Sequence, residues 1–488
     1  MIRRTRIAAL ALLGSCTLAG CTMAPRYKQP DLPVPPSWPV GDAYLQQSET
    51  DLPRVSYRDI FADSRLQTLL DQALSNNRNL RVAAANVAVA RGQYRAQRGA
   101  LFPAVNLTDS VTRRDNGGSG AATGGGVVIP GSGATTLYSV NLGVTGYEID
   151  LFGRIQSLTN AAQDRYFAQE AAARAARLSM VGELASAWAI YGADRALLKV
   201  AEETVASAER SVSLTRARLS GGIAPRTDLR QAEQILETAR ASIAEQKTAI
   251  AQDLNAIQLI VGAPVDPALL PDDMSAVIAA FRAPRAGLDS TVLLRRPDVV
   301  QAEYLLRAAN AQIGAARAAL FPRLTLTGVL GFASNALSSL FDSNQFNYSG
   351  TGSAAYSIFA GGTARAGLEV SKAQRDAALA SYERAIQTAF RDVSDALARR
   401  GTIDEQLRAN RTSVEASEDN FRLADARYRG GIDNFLTSLD AQRSLYNARR
   451  TLVNAQLANA VNTATLYTSL GGDDFSGPPP GRRPANEQ

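Results

Sequence analysis

An internal duplication is the feature that most constrains the fold of this chain. Two segments of the first half recur in the second half: Ala-Leu-Phe-Pro at 100–103 and 319–322, and Gly-Gly-Ile at 221–223 and 430–432. A third recurs loosely, as Tyr-Glu-Ile-Asp-Leu-Phe at 147–152 and Tyr-Ser-Ile-Phe at 356–359. The last two pairs are offset by 209 positions (430 − 221 and 356 − 147), whereas the first is offset by 219 (319 − 100). The first copy therefore has about ten extra residues between 103 and 147. Self-similarity of this kind predicts a repeated structural unit.

Each copy predicts the order helix, strand, loop, strand, long helix, turn and long helix. In the first copy a helical pattern runs from about 65 to 99 and stops before Pro103, which cannot continue a helix. Two stretches of alternating apolar residues follow at about 104–148, separated by a Gly/Ser-rich loop at 117–133. The second copy predicts a strand pair at about 323–359, whose second strand, roughly 348–359, is rich in Gly and Ala.

A long helical hairpin closes each copy. Between 156 and 220 there is no proline, and apolar residues recur at intervals of three and four, which predicts a continuous helix of about 95 Å. Gly221 and Gly222 end this helix, and the chain returns to about 262 with a heptad-like apolar seam. The second copy repeats the hairpin at about 364–470 with a turn at Gly430 and Gly431, after which Asp433 is the predicted N-cap.

The amino terminus has the pattern of a bacterial lipoprotein signal. Three arginines within the first six residues precede a short apolar run that is too short to span a bilayer. Leu-Ala-Gly-Cys follows at 18–21, which predicts cleavage before Cys21 and attachment of an N-acyl chain and an S-diacylglycerol group to that residue. An ordinary secretory signal or a chance cysteine are the alternatives. Thr22, in place of the aspartate that retains many lipoproteins at the inner membrane, favours the outer membrane.

The flanks of the duplicated region differ from it in composition. Six prolines between 25 and 39 indicate an extended tether, and the Gly- and Pro-rich carboxyl end indicates disorder. The predicted organisation is a signal peptide at 1–20, a lipidated cysteine with a Pro-rich tether and an equatorial segment at 21–60, a first repeat at 61–270, a second repeat at 271–470 and a disordered tail at 471–488.

Composition argues against two function classes. There is no histidine, and both cysteines lie in the first 21 residues, which removes the commonest general base, metal ligands and nucleophiles. The acidic pairs at 202–203 and 272–273 come without a pocket pattern, so neither an enzyme nor a cofactor other than the lipid is predicted. The net charge of +6 is spread along helical segments, without the basic patch of a nucleic-acid binder.

The strands are the only segments suited to crossing a membrane. No later stretch reaches about 18 consecutive apolar residues, so a helical span is not expected. Four strands alone would leave backbone groups unpaired in lipid at several kcal/mol each, so closure needs further copies of the chain. A dimer would supply eight strands around a lumen filled by side chains, and a trimer would supply twelve around a water-filled passage.

Several longer motifs resemble those of the TolC-like outer membrane factor family, in its OprM/NodT-type lipoprotein branch. These motifs are Tyr-Glu-Ile-Asp-Leu-Phe-Gly-Arg at 147–154, Arg-Arg-Pro-Asp at 295–298, Ala-Asn-Ala-Gln-Ile-Gly at 309–314, Leu-Phe-Pro at 320–322, Arg-Tyr-Arg-Gly-Gly at 427–431 and Leu-Asp-Ala-Gln-Arg at 439–443. The resemblance covers nearly all of the mature chain. It implies a mixed α+β membrane protein: a homotrimer with a twelve-stranded outer-membrane β-barrel continuous with a twelve-helix periplasmic α-barrel.

The resemblance also implies a gate at the periplasmic end of the tunnel. Tyr428 and Arg443 match positions that bond to neighbouring helices, and Asp440 matches a position that faces the lumen, where three copies would form an acidic ring. Such a ring attracts cations and disfavours anions. Asp425 and Arg429 are further candidates. The alternative is that Tyr428, Asp440 and Arg443 are ordinary solvated residues beside a turn.

The two Gly-Gly turns have two interpretations. They either only cap helices, or they also form the hairpin tips where a periplasmic adaptor docks, together with Ala224, Thr227, Asn434 and Thr437. The family's partner system, an adaptor and an inner-membrane transporter of the RND type, predicts the second.

The predicted function is a passive exit duct of a tripartite efflux system in the outer membrane. The duct of a type I protein secretion system and a structural coiled-coil lipoprotein are the alternatives. No Walker-type phosphate loop occurs, so energy would come from the pump. The sequence does not identify the cargo.

Overall fold

The computed structural model describes residues 22–41, 43–44, 56–114, 134–283 and 290–472. The predicted signal peptide, Cys21, the loop at 117–133 and nearly all of the tail lie outside the described residues. The described residues form two compact units. One takes its residues from Met1–Gln29, Ala88–Phe167 and Tyr304–Ala380, and the other from Pro30–Val87, Ala168–Glu303 and Ser381–Gln488.

The first unit contains a four-stranded antiparallel sheet. Its strands are β1 (Val105–Arg114), β2 (Thr135–Ile149), β3 (Arg323–Ser334) and β4 (Phe346–Ala355), and they lie in that order. Every residue of β1 and of β4 is exposed. In the described part of this chain β1 and β4 each have a partner strand on one side only, so both outer edges of the sheet carry unpaired backbone groups.

The two faces of the sheet differ in polarity. One row across the four strands pairs Leu107, Leu142, Leu330 and Tyr348 in register. The next row, which points to the opposite face, pairs Thr108, Asn141, Gly331 and Asn347. Tyr348 is 82% exposed, so the apolar face has no covering layer within the described chain. A sheet of this kind is suited to lipid on one side and water on the other.

The second strand of the second pair ends earlier than predicted. The sequence predicts it over roughly 348–359, whereas β4 begins at Phe346 and ends at Ala355, opposite Arg323. Pro322 precedes Arg323 and has no backbone N–H, so β3 offers no ladder partner beyond this point. The apolar side chains of Ile358 and Phe359 therefore lie outside the sheet and are exposed.

Four long helices form the two predicted hairpins. Numbered in chain order, the helices are α1 (Tyr57–Ile60), α2 (Ser64–Asn76), α3 (Arg78–Gly99), α4 (Arg154–Ser220), α5 (Arg226–Val261), α6 (Met274–Ala280), α7 (Pro297–Ala318), α8 (Thr363–Arg429) and α9 (Phe435–Ser469). Short 3₁₀ turns lie at Pro267–Leu269, Ser290–Arg295, Leu337–Ser339 and Ser343–Gln345. Helices α4 and α8 each contain 67 residues. Among the described helices, none combines the length and the apolar character that a membrane crossing requires.

The helix predicted over 65–99 is interrupted at Asn77, which is a correction to the sequence analysis. Asn77 has an extended ψ of 129° and separates α2 from α3. Its side-chain Oδ1 accepts a hydrogen bond from the Leu80 N–H at 3.0 Å, and its Nδ2 donates to the Ile260 carbonyl at 2.6 Å. A local cap and a long-range bond together outweigh the continuous helical pattern.

The core of the second unit lies where α2, α4, α5 and α9 meet. Trp188 on α4 is fully buried, and its Nε1 donates to the Leu269 carbonyl at 3.0 Å. Phe61 packs edge-on against Phe281 and Tyr467. The other large, fully buried side chains of this cluster are Leu66, Leu69, Leu70, Leu184 and Ile257.

Two of the sequence motifs are structural joints. At 147–154, Arg154 donates two hydrogen bonds of 2.7 Å to the Glu148 carboxylate, and the Asp150 carboxylate accepts from the backbone N–H groups of Arg154 and Gln156. This arrangement fixes how β2 passes into α4. At 295–298, the buried Arg296 binds the Asp298 carboxylate and donates to the Ser469 carbonyl at 2.7 Å, which satisfies the end of α9.

Candidate functional site: the ends of the helical hairpins

Both hairpin turns have the same backbone hydrogen bonds. After α4, the N–H of Ile223 donates to the Arg218 carbonyl at 2.8 Å and that of Gly222 donates to the Leu219 carbonyl at 3.0 Å. After α8, Ile432 and Gly431 make the equivalent bonds to Arg427 and Tyr428. These are Schellman caps, which require a left-handed residue, and Gly222 and Gly431 have φ of +74° and +72°. Gly221 and Gly430 precede them and are exposed.

Apolar side chains are exposed at both turns. Ile223 is 79% exposed and Ile432 is 67% exposed, and Leu436 is also exposed beside the second turn. Thr227, Asn434 and Thr437 are exposed, and Ala224 is half-buried. Each turn therefore presents a small apolar tip surrounded by polar groups, a composition suited to contact with another protein.

The N-cap of α9 is Asn434, so the prediction of Asp433 is wrong by one residue. The Asn434 Oδ1 accepts from the backbone N–H of Thr437 at 3.1 Å. Asp433 instead accepts two hydrogen bonds from the Arg427 guanidinium, at 2.6 and 3.1 Å. These bonds hold the pKa of Asp433 below its usual value. An ion pair across the turn competes with capping, and the adjacent Asn can take over the cap.

Tyr428 joins the two hairpins. It lies near the end of α8 and is almost completely buried. Its hydroxyl shares a 3.2 Å hydrogen bond with the hydroxyl of the fully buried Thr215 on α4, and its ring packs against Phe435, with centroids 5.3 Å apart. The surrounding apolar cluster draws residues from α4, α5, α8 and α9.

Arg218 makes further contacts with the same tyrosine. Its guanidinium lies 4.3 Å from the centre of the Tyr428 ring. It also donates to the Tyr428 carbonyl at 2.8 Å and to the Arg429 carbonyl at 3.1 Å. Because those carbonyls lie in the last turn of α8, one side chain of α4 both stacks on the tyrosine and caps the neighbouring helix. We refer to Thr215, Arg218 and Tyr428 as the hairpin junction.

The remaining predicted gate residues are exposed, except Asp425, which is half-buried. Asp440 and Arg443 are exposed on α9, and each directly follows a buried residue, Leu439 and Gln442. Within the described chain neither side chain has a hydrogen bond or an ion pair, so Arg443 makes no bond to a neighbouring helix of the same protomer. Asp425 and Arg429 form an ion pair of 2.7 Å along α8.

Sequence reasoning missed Thr215 and Arg218, although a signal for Arg218 exists. At the offset of 209, Arg218 corresponds to Arg427 and Ala224 to Asp433. Arg427 pairs with Asp433 beyond its own turn, whereas the equivalent position for Arg218 is Ala224, which has no carboxylate. Arg218 is therefore available for the α8 carbonyls. Thr215 has no such signal, since it corresponds to Ala424.

A pair of half-buried carboxyl groups lies between α4 and α5. Asp194 and Asp253 are hydrogen-bonded to each other, which requires a shared proton. Burial raises the pKa of Asp253 to about 7, assisted by the charge of Asp194 and the hydrogen bond with it. Burial also raises the pKa of Asp194. The folded state thus binds more protons than the unfolded chain between about pH 4 and pH 7.

The carboxyl pair makes stability depend on pH. An acid whose pKa is raised by folding destabilises the protein as pH increases through that window. Asp253→Asn should therefore raise the free energy of unfolding by roughly 1 to 2 kcal/mol at pH 8, after allowing for solvent screening of a half-exposed pair. At pH 4 it should have almost no effect. Thermal unfolding followed by circular dichroism at both values tests this. Glu245→Gln, at an exposed acid on α5, is the control, and an equal gain at pH 4 would contradict the account.

The described residues contain no group of three or more carboxylates, histidines or cysteines that could hold a metal ion. The hairpin ends are built from apolar packing, helix caps, hydrogen bonds and ion pairs. Such an arrangement can hold two helical hairpins together or release them.

Comparison with known proteins identifies the family. The profile described as "Outer membrane efflux protein" matches residues 69–263 and 288–472. The toluene efflux pump outer membrane protein TtgC and the antibiotic efflux pump outer membrane protein ArpC, both of Pseudomonas putida, are each 42% identical over 457 residues, which is 93% of either chain. The open state of the MtrE outer membrane channel of Neisseria gonorrhoeae is similar in structure, with a TM-score of 0.79 and 36% identity over 93% of this chain and 98% of that one.

These similarities extend over almost the whole length of the proteins compared. The fold is that of outer-membrane efflux channels, and the predicted resemblance to the TolC-like family is confirmed. The location in the outer membrane and the role as a channel in efflux are confirmed as well. The chain belongs to the outer membrane efflux protein family.

Proposed function

We propose that three copies of this chain form the passive exit duct of a tripartite efflux system. The four-stranded sheet, with two unpaired edges and one apolar face, carries this proposal. Pairing β4 of one protomer with β1 of the next satisfies every edge, and three copies give twelve strands (three times four). A closed wall of this size leaves an aqueous lumen, whereas eight strands from a dimer would be filled by side chains.

The helical hairpins supply the periplasmic part of the duct in this proposal. Four long helices per chain, α4, α5, α8 and α9, give twelve in a trimer (three times four). Exposed apolar residues such as Leu259 on α5 and Val370 on α8 are available for side-by-side packing against neighbouring hairpins. The sequence duplication, with α4 and α8 of equal length, supports alternating equivalent hairpins around the wall.

The proposed partners follow from the chemistry of the hairpin turns and of Cys21. Ile223, Ile432 and the adjacent Gly-Gly turns form the surface on which a periplasmic adaptor docks, and an inner-membrane transporter of the RND type delivers the substrate. Cys21 carries the N-acyl and S-diacylglycerol groups that attach the protein to the outer membrane. The names of two equally similar relatives refer to toluene and to antibiotics. We infer that substrate choice lies with the pump.

The hairpin junction keeps the resting duct closed. Thr215 and Arg218 on the first hairpin hold Tyr428 on the second, so movement of α8 and α9 away from α4 must break these contacts. Asp440 lies on the neighbouring helix, and its exposed carboxylate has no partner among the described residues. Three such carboxylates around the axis form an acidic ring that the passing ion meets at the narrowest point.

Asp440→Asn tests the channel function and the ring together. In planar bilayers the purified wild-type protein should form cation-preferring channels, and the variant should lose at least about half of that preference, because three negative charges leave the constriction. The reversal potential in a salt gradient measures it. Glu237→Gln, which removes an exposed charge from α5, should leave the reversal potential unchanged.

Two outcomes would contradict the proposal. If the wild-type protein forms no channel, the proposed duct function is refuted. If Asp440→Asn forms channels with an unchanged reversal potential, the acidic ring is refuted and the duct function still stands.

A further inference from the structure

A group of aromatic side chains lies at the end of the sheet where β3 passes into β4. Phe332, near the end of β3, packs edge-on against Phe346 at the start of β4, with ring centroids 5.6 Å apart. Phe341, in the loop between the two strands, packs edge-on against the same Phe332 at 5.5 Å. We call these three residues and Tyr348 the aromatic cluster. Because β3 begins just after α7 and β4 ends just before α8, the cluster lies at the opposite end of the sheet from the helices.

The aromatic cluster belongs to the apolar face of the sheet. Phe332 and Phe346 are register partners, and the next row along the same strands pairs Leu330 with Tyr348. Residues two apart in a strand share a face, so both rows point to the side that carries the leucine row. Phe346 is 51% exposed and Tyr348 is 82% exposed, so no part of the described chain covers them.

The loop between β3 and β4 is folded onto this same face. Ser334, two residues after Phe332, is buried, and its Oγ shares a 2.7 Å hydrogen bond with the Ser339 Oγ and accepts from the Ala336 N–H at 3.2 Å. Leu340 is 3% exposed, whereas the adjacent Phe341 is 69% exposed. The loop is therefore fixed by local bonds and one buried leucine, and it still presents a phenylalanine on its surface. Exposed apolar groups in an ordered segment indicate a contact surface.

The position of the aromatic cluster fits the outer boundary of an apolar band. Leu324 lies on the same face near the start of β3, eight residues before Phe332 (332 − 324). Eight strand residues tilted by about 40° rise about 20 Å, and the apolar band of a transmembrane barrel is about 25 Å tall with aromatic residues at its edges. Within the described strands, the charged residues of this face are Asp109, level with Phe332, and Arg113, beyond it.

We propose that the β3–β4 loop is a membrane anchor, in which Phe341 inserts beside Phe346 and Tyr348 among the lipid acyl chains at the outer edge of the hydrocarbon layer. The inference rests on the proposed duct, in which this face of the sheet meets lipid and the helices extend into the periplasm. The lipid at the aromatic cluster is then that of the outer leaflet. Because the anchor holds the loop against the outside of the sheet, the loop leaves the mouth of the duct open.

Tryptophan fluorescence in lipid bilayers tests the anchor. The natural Trp38 and Trp188 are buried outside the sheet and give a constant background. Phe341→Trp should lose at least about half of its added fluorescence in phosphatidylcholine vesicles whose acyl chains carry bromine near the headgroup, and acrylamide in the water should quench it little. Asn347→Trp is the control, because Asn347 follows Phe346 and points to the opposite face. Acrylamide should quench that variant, and brominated lipid should not.

Leu330→Trp separates the anchor from the proposed duct. Leu330 lies on the same face, one row closer to the helices, and is 49% exposed. If brominated lipid fails to quench Leu330→Trp, the apolar face does not meet lipid, and both proposals are refuted. If brominated lipid quenches Leu330→Trp while only acrylamide quenches Phe341→Trp, the anchor is refuted and the duct stands.

Proteolysis of the loop on intact cells is the second test. Phe341→Asp should speed cleavage of the loop by proteinase K about tenfold, because a charge opposes insertion and cleavage follows the population of released loop. Asn344→Asp adds the same charge at an exposed loop position outside the aromatic cluster, and it should be cleaved at the wild-type rate. Phe341→Ser removes the ring without adding a charge and should give a smaller increase. Equal rates in folded, heat-modifiable samples of all four proteins would overturn the proposal.

Discussion

Replacement of Arg218 by alanine is expected to raise the open probability of the channel at least tenfold in planar bilayers. The variant loses two charge-assisted hydrogen bonds to the end of α8 and the stacking of the guanidinium on Tyr428. Such bonds contribute about 1.5 kcal/mol or more each, and a partly exposed cation–π contact about 0.5 to 1 kcal/mol. A loss of about 3.5 kcal/mol per protomer shifts a closed-to-open equilibrium by a factor of about 400.

Matched variants separate the hairpin junction from a general charge effect. Arg216→Ala, on the same helix, removes an exposed arginine whose partner is Glu233 on α5, and it should leave the open probability unchanged. Tyr428→Phe removes only the hydroxyl bond to Thr215 and should have a smaller effect, of about 1 kcal/mol. Unchanged or lower open probability in Arg218→Ala would show that the junction does not hold the closed state.

Gly331→Val is expected to abolish the folded, heat-modifiable form of the protein. A Cβ on Gly331 would overlap the Val140 carbonyl oxygen and the Asn141 side chain of the adjacent strand, and would lie 2.9 Å from the Asn141 Cα. The atoms that would have to move are largely backbone of β2, so the clash cannot be relieved by a rotamer change. The clash therefore destabilises the hydrogen-bonded ladder between β2 and β3, and closure of the sheet into a barrel depends on that ladder.

Gly328→Val provides a close control in the same strand. Gly328 lies between the same two neighbours as Gly331 and has no heavy atom within 4 Å of the added Cβ. We expect it to assemble normally. The difference between heated and unheated migration on gels measures both variants. Normal heat-modifiable migration of Gly331→Val would show that the sheet geometry described for β2 and β3 is wrong.

The sequence predicts the parts of the fold that depend on local pattern. The length of α4 follows from the absence of proline and from apolar spacing, and its end follows from a glycine pair that can adopt positive φ. The break at Asn77 escapes this reasoning because its cause is a contact with Ile260, far away in the chain. Asn434 and Asp433 could not be ranked as caps without knowing that Arg427 pairs with Asp433.

The candidate sites and the tether are less accessible to sequence reasoning for the same reason. Residues 22–27, part of the predicted tether, contact α7 through backbone carbonyls of Met23 and Pro25, and carbonyls carry no residue-specific signal. The glycine in the 309–314 motif is visible in sequence, but its helical φ conceals that it serves a close contact. The lumen-facing role of Asp440 depends on neighbouring copies, so it stays a prediction for the single chain.

The proposal that each chain contributes one third of a shared barrel is tested most directly by measuring the mass of the assembly. Native mass spectrometry of the protein, extracted from outer membranes in mild detergent, should give the mass of three mature chains, each with its lipid. A dominant species of one, two or four chains would contradict the twelve-stranded duct, since twelve strands at four per chain require three chains.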